Sequence, residues 1–379
     1  MNLLQQNPGR QLALAYVGLG SNANLRGDFR EGLTWCDKAL SLAGEFDCQE
    51  VVVEALNFRG FSRFELGDAE GIEDLKESVR LGLELGLGRQ TAVSYGNLCH
   101  LTQVLNLPRD CLDLATEALK FARSRALVDQ EMWLTLGESE LLFVLGRWDT
   151  ALGQVDGVIE WSRQREAAQY ECWAAELKAR MCLCQGRIED AAELLTSFLP
   201  QARTIGDVQT VLPSLETAAI IEQVRGRSTE AVQLAEEYEQ QSRAHPRFRI
   251  ESFLDVLRVC RATRQTGLAQ SLLEDASPSL PFSQCAVVSG QAILAEATDK
   301  VHEARDLYQE AAQRWADYGF VLEEGQAHLG LARCLIALGA NESATESLQQ
   351  ARAIFLRLGA RPLLDEVDSH LGLATALSS

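Results

Sequence analysis

The sequence predicts an all-α protein, an array of about nine antiparallel helix pairs finished by a C-terminal capping helix. Three observations carry that prediction. A turn residue recurs at Gly27, Gly67, Asn106, Gly146, Gly186, Gly226, Gly267, Asp299 and Gly339, 39 to 41 residues apart except for one step of 32. Seven residues before each turn stands a small residue: Gly20, Gly60, Cys99, Ser139, Ala179, Ala219, Cys260, Ala292 and Ala332. Five residues after it small side chains dominate again, among them Gly32, Cys111, Ala151, Ala191, Ala231, Ala304 and Ala344. A helix that ends on a left-handed residue selects Gly or Asn, because a Cβ there meets the preceding turn. Small residues at two fixed offsets let paired helix backbones approach, and a leucine in such a contact overpacks it by roughly 1–3 kcal/mol.

Residues 1–10 read as a polar lead-in, 11–361 as the repeats and 362–379 as the capping helix and tail. Gln11 to Asn24 carries Leu12, Ala15, Tyr16 and Leu19 at helical spacing, and its partner runs from about Phe29 to Ala43. In the second pair, Cys48 to Leu87, Asp68 is placed to cap the second helix. Pro108 suits the start of the next helix. The pairs over 129–165 and 167–204 are the most regular, and the sixth is expected to begin near Pro213. Ser242 to Arg247 reads as a loop, and Ser277 to Pro281 stops the short seventh pair. Beyond Gly359, Leu363 to Ala376 is amphipathic, with Leu363, Leu364, Val367 and Leu371 expected to cover the last repeat.

Composition narrows the function. The 379 residues carry 54 acidic against 35 basic side chains, a net charge of −19 that repels phosphate backbones and anionic lipid and argues against a direct nucleic-acid partner. No apolar run approaches the ~20 residues of a membrane span, and no cationic leader precedes an apolar core, so a cytoplasmic protein is expected. The ten cysteines include no zinc-type set, and three occupy small-residue slots, so buried free thiols and a reducing compartment are expected. None of the five lysines follows a glycine, which excludes a GxxxxGK[ST] phosphate loop. The five histidines are scattered, with no H-E-x-x-H and no G-x-S-x-G elbow. No catalytic, cofactor or metal set emerges, and a binding role without catalysis is expected.

The order small residue, turn, Ala five positions on and Ala seven further (Ala39, Ala118, Ala311 and Ala351) resembles the tetratricopeptide repeat, in a unit of about 40 residues where about 34 is usual. The segment Ala351 to Pro362 resembles the ends of bacterial signalling ATPases and of maltose-activator-type transcription regulators. The resemblance implies a right-handed superhelical solenoid whose inner face is lined by the first helix of each pair. By that register Asn57, Phe61, Trp133, Glu140, Trp173, Glu176 and Arg180 face inward, with Arg261 and Arg333 in the same slot further on. Two tryptophans one repeat apart, beside carboxylates and an arginine, either grip a ligand or serve packing. The implied function is a protein- or peptide-binding scaffold in bacterial signalling. The alternative is a sensor arm that binds a small effector and regulates an ATPase, cyclase or transcription activator.

Overall fold

In a computed structural model, residues 6–105, 107–274, 276, 278 and 280–378 are described, with side chains to residue 372; the expected turn at Asn106 and part of the 277–281 stop lie outside them. Twenty helices and no strand are present among the described residues. They fall into two compact units, residues 1–106 with 110–138, and residues 107–109 with 139–379. In the first unit α1 (Arg10–Leu25) packs on α2 (Phe29–Glu45), α3 (Gln49–Glu65) on α4 (Gly71–Glu84), and α5 (Gly88–Leu105) precedes α6 (Pro108–Ser124). Helix α7 (Val128–Val144) runs from one unit into the other. The second continues with α8 (Trp148–Arg165), α9 (Ala168–Cys184), α10 (Ile188–Ile205), α11 (Val208–Val224) and α12 (Ser228–Ser242). After the short α13 (Pro246–Glu251), α14 (Leu254–Thr263) and α15 (Thr266–Leu273), it ends with α16 (Pro281–Ala297), α17 (Val301–Tyr318), α18 (Val321–Ala337), α19 (Asn341–Leu358) and α20 (Arg361–Ser378).

The small-residue slots are where the helices of a pair close. A Cβ on Gly20 would lie 2.6 Å from Cys36 Sγ, and one on Gly60 only 2.5 Å from the Gly71 carbonyl. In the second pair the slot after the turn is Gly71 and not Ile72, because α4 starts at that glycine. Ala179, Ala191, Ala231, Ala304, Ala332 and Ala344 are fully buried in the equivalent places. The unit exceeds the usual ~34 residues because its helices are long. Most run 16 to 18 residues, while only two residues separate α8 from α9.

The left-handed turns stand at Gly27, Gly67, Gly146, Gly186, Gly226, Asp299 and Gly339 as expected, but the seventh is Arg264 at φ 60°, while Gly267 lies inside α15. Helix α14 is the second piece of a first helix interrupted at Ser252, so it ends early and leaves the left-handed position to an arginine. Two other boundaries differ. The loop after α12 is shorter than expected, since Pro246 already opens α13. Helix α11 starts at Val208, where the Asp207 carboxylate accepts the Gln209 N–H at 3.1 Å, and Pro213 sits within it at the cost of one backbone bond. Asp68 accepts the Glu70 N–H at 3.1 Å, just ahead of α4. A second series of left-handed residues, Asp47, Gly86, Ala126, Glu166, Gly206, Gly319 and Gly359, ends the second helix of seven pairs.

The second unit also closes on itself. The edge at the ends of α7 and α9 meets the last helices: Phe143 lies 6.3 Å from Phe320 edge-on, and a Cβ on Gly146 would come within 2.5 Å of Leu358 Cδ2. At Gly186 the same atom would stand 3.5 Å from the Pro362 ring. Helix α20 packs on α19, with Val367 fully buried, and also touches α9.

Candidate functional site

The seven inward positions read from the sequence separate between the units. In the first, Asn57 is buried and accepts the Asn97 amide at 3.0 Å, and Phe61 is buried between Phe29 and His100, with ring centroids 6.2 and 6.0 Å away. Trp133 packs against Gly96, where any Cβ would fall 2.1 Å from its ring. These three side chains hold adjacent first helices together, and Gly96 is what makes room for the indole.

In the second unit the other four meet. Trp173 Nε1 donates to Glu140 Oε1 at 2.7 Å, joining α9 to α7. One turn along, Glu176 is buried, accepts the Thr217 hydroxyl of α11 at 2.5 Å, and lies 3.8 Å from Arg180 Nε. The Arg180 guanidinium also stacks 5.0 Å over Phe143. Successive first helices are thus tied across their inner faces by polar side chains, which offset their desolvation only in such pairs.

The face continues through Glu216, Arg258 and Glu323, which the repeat register did not single out, to Arg261 and Arg333, which it did. Glu216 accepts the Asp255 N–H at 3.2 Å, and Arg258 donates to Asp255 at 2.7 Å and to both oxygens of Glu323, 3.0 Å for one of them. Further on, Arg333 donates twice to Glu296, at 2.7 and 3.0 Å, and Arg261 and the Tyr308 hydroxyl add 3.1 and 2.6 Å contacts, so the two inner arginines share one carboxylate. These carboxylates differ in charge state. Against the opposing effect of burial, the guanidiniums of Arg333 and Arg261 hold Glu296 down to about 2. Burial pushes Glu140 up to about 7, aided by the Glu176 charge, and Glu216 up to about 8, aided by Asp255.

Chemically, the face offers an indole, carboxylates near neutrality and anchored guanidiniums, which suit hydrogen bonding and ion pairing to an extended chain. No group of three or more His, Cys, Asp or Glu among the described residues is placed to hold a metal ion, and no described helix is long and apolar enough to cross a membrane. All ten cysteines are free thiols. The 40-residue helix pairs, their small-residue contacts and their left-handed turns define a tetratricopeptide-like helical-repeat fold. No protein-family model matches the chain, and no curated protein matches it. Among solved structures it is similar to the apo form of the quorum sensor NprR from B. thuringiensis, at 12% identity over 85% of this chain and 87% of that one, TM-score 0.48. It is also similar to a Rap protein complexed with competence and sporulation factor (12% identity, 96% and 97% covered, TM-score 0.45). A third is a Signal Transduction ATPase with Numerous Domains from Pyrococcus horikoshii that carries a tetratricopeptide repeat sensor (15% identity, 84% and 45% covered, TM-score 0.38).

Proposed function

We propose that the protein is a non-catalytic scaffold that takes a protein or peptide segment on the inner helix face of residues 139–379, in a regulatory assembly. The observation that carries this reading is the Trp173 to Glu140 contact continued by Glu176, Arg180, Glu216 and Arg258, polar and aromatic groups from successive first helices converging on one face. A purely structural interior at such positions is ordinarily apolar, since burying charge costs more than burying methylenes. Burial pushes Glu140 to about 7 and Glu216 to about 8, so at neutral pH these carboxyls carry reduced charge and offer hydrogen-bonding groups beside the anchored guanidiniums of Arg180 and Arg258. A segment with free backbone amides and polar side chains complements such a face.

The test is capture from a lysate of the source organism by immobilised protein, with Trp173→Phe and Glu140→Gln as site variants and Trp133→Phe as the control. A partner retained by the wild type and the control and depleted about tenfold or more by both site variants supports the reading. An identical set of retained proteins for all four forms refutes it. If the wild type retains none, the small-effector alternative is next, checked by a ligand that raises the melting temperature.

A further inference from the structure

In a repeat array each unit normally touches only its neighbours. The second unit departs from this: residues 143–187 meet residues 320–362 across a seam beside the inner face, where Arg180 stacks over Phe143 and Glu323 pairs with Arg258. The seam is smooth. On one side stand Gly146 and Gly186, which present backbone, and on the other Leu358, with its Cδ2 seated on Gly146, and the Pro362 ring against Gly186. Phe143 and Phe320, both buried, add the edge-on ring contact. Behind the seam the face is unevenly covered. The side chains of Glu176, Glu323 and Arg258 retain only 4%, 7% and 14% of their exposure, which withholds them from a polypeptide as the unit stands, while Arg180 and Asp255 keep 27% and 28%.

We propose that this seam is a gate: residues 320–362 part from Gly146 and Gly186 to admit a ligand to the inner face and reclose over it. The proposal rests on the reading of that face as a binding site, and adds how the site is reached. Three features fit a contact that opens. It joins segments far apart in the chain, so parting it breaks no helix pair; at Gly146 and Gly186 its near side presents backbone; and the array between its two halves is interrupted midway by the short helices α13 to α15 and the break at Ser252. Opening also returns to water the charges that closure buries.

Cys184 is a built-in reporter. It is the last residue of α9 and is half-buried, within reach of the charges of Asp255, Arg180, Glu323 and Arg258, whereas Cys182 on the same helix is fully buried. Thiol labelling of the full chain with a maleimide, mapped by mass spectrometry, reads opening at Cys184 and global unfolding at Cys182. Leu358→Ala removes the side chain seated on Gly146, and Pro362→Ser, at an exposed position compatible with a helix start, removes the contact at Gly186 should the first variant fail to fold. Either is expected to raise the Cys184 labelling rate at least about tenfold at an unchanged Cys182 rate. Equal acceleration of both cysteines, or none at Cys184 in a folded variant, overturns the gate. Labelling needs no ligand, so the gate can fail while Trp173-dependent capture stands, and capture can fail while the gate stands.

Discussion

Replacing Glu216 with Gln tests the electrostatics of the inner face. Burial and the Asp255 charge push this carboxyl up to about 8, against about 4.3 in an unfolded chain. Between those values the folded state holds a proton that the unfolded state has released, so stability is fully present at low pH and declines as pH rises toward 8. A one-proton difference is worth at most about 1.4 kcal/mol per pH unit, or roughly 4 kcal/mol from pH 5 to pH 8. The Arg180 charge nearby favours the ionised form, so about half that is expected over the interval. Glutamine keeps the oxygen that accepts the Asp255 N–H at 3.2 Å and never ionises. Urea midpoints of both forms at pH 5, 6, 7 and 8 give the comparison: near-equal stability at pH 5 and a variant more stable by about 2 kcal/mol at pH 8. Parallel curves, or a variant weaker at pH 8, would show that Glu216 is ionised in the folded protein and refute the argument.

Three further perturbations probe the repeat. Gly60→Leu drives a side chain into the Gly71 carbonyl, 2.5 Å from the first new carbon, and is expected to destabilise the first unit by about 3 kcal/mol in urea unfolding; a change below 1 kcal/mol would mean that the pair separates freely. Arg264→Gly relieves a left-handed residue at φ 60° and is expected to stabilise by about 1 kcal/mol, read as a higher urea midpoint, with no gain counting against the assigned turn. Trp315→Phe keeps the ring cluster with Phe282, Tyr318 and Phe320 but leaves the Ser289 hydroxyl without the indole N–H at 2.7 Å; a loss of about 1–2 kcal/mol is expected, and an unchanged midpoint would make that hydrogen bond dispensable.

What the sequence determined by itself was everything local that recurs. Left-handed turns select glycine, and close backbone approach selects Gly, Ala, Ser or Cys, so Gly60, Gly146, Ala179 and Ala332 announce the pairs and their register. The second series of left-handed ends was written less plainly, because Asp47, Ala126 and Glu166 occupy positions where the fold fixes a conformation that the residue type does not advertise. At the seventh pair, Gly267 drew the turn three residues too far, since the break at Ser252 had already shifted the helix.

The register set Glu140, Trp173, Glu176 and Arg180 at equivalent positions, and the structure brings them into one cluster, but the repeat gave no sign of what surrounds them. Arg258 and Glu323 are 65 residues apart, no multiple of the repeat, and Gly146 and Leu358 face each other across more than five repeats. Periodicity specifies how each pair packs on the next. Which distant pairs then meet depends on the small rotation added at every step and on the short helices α13 to α15, and only the tertiary structure sums those rotations into the contact of residues 143–187 with residues 320–362.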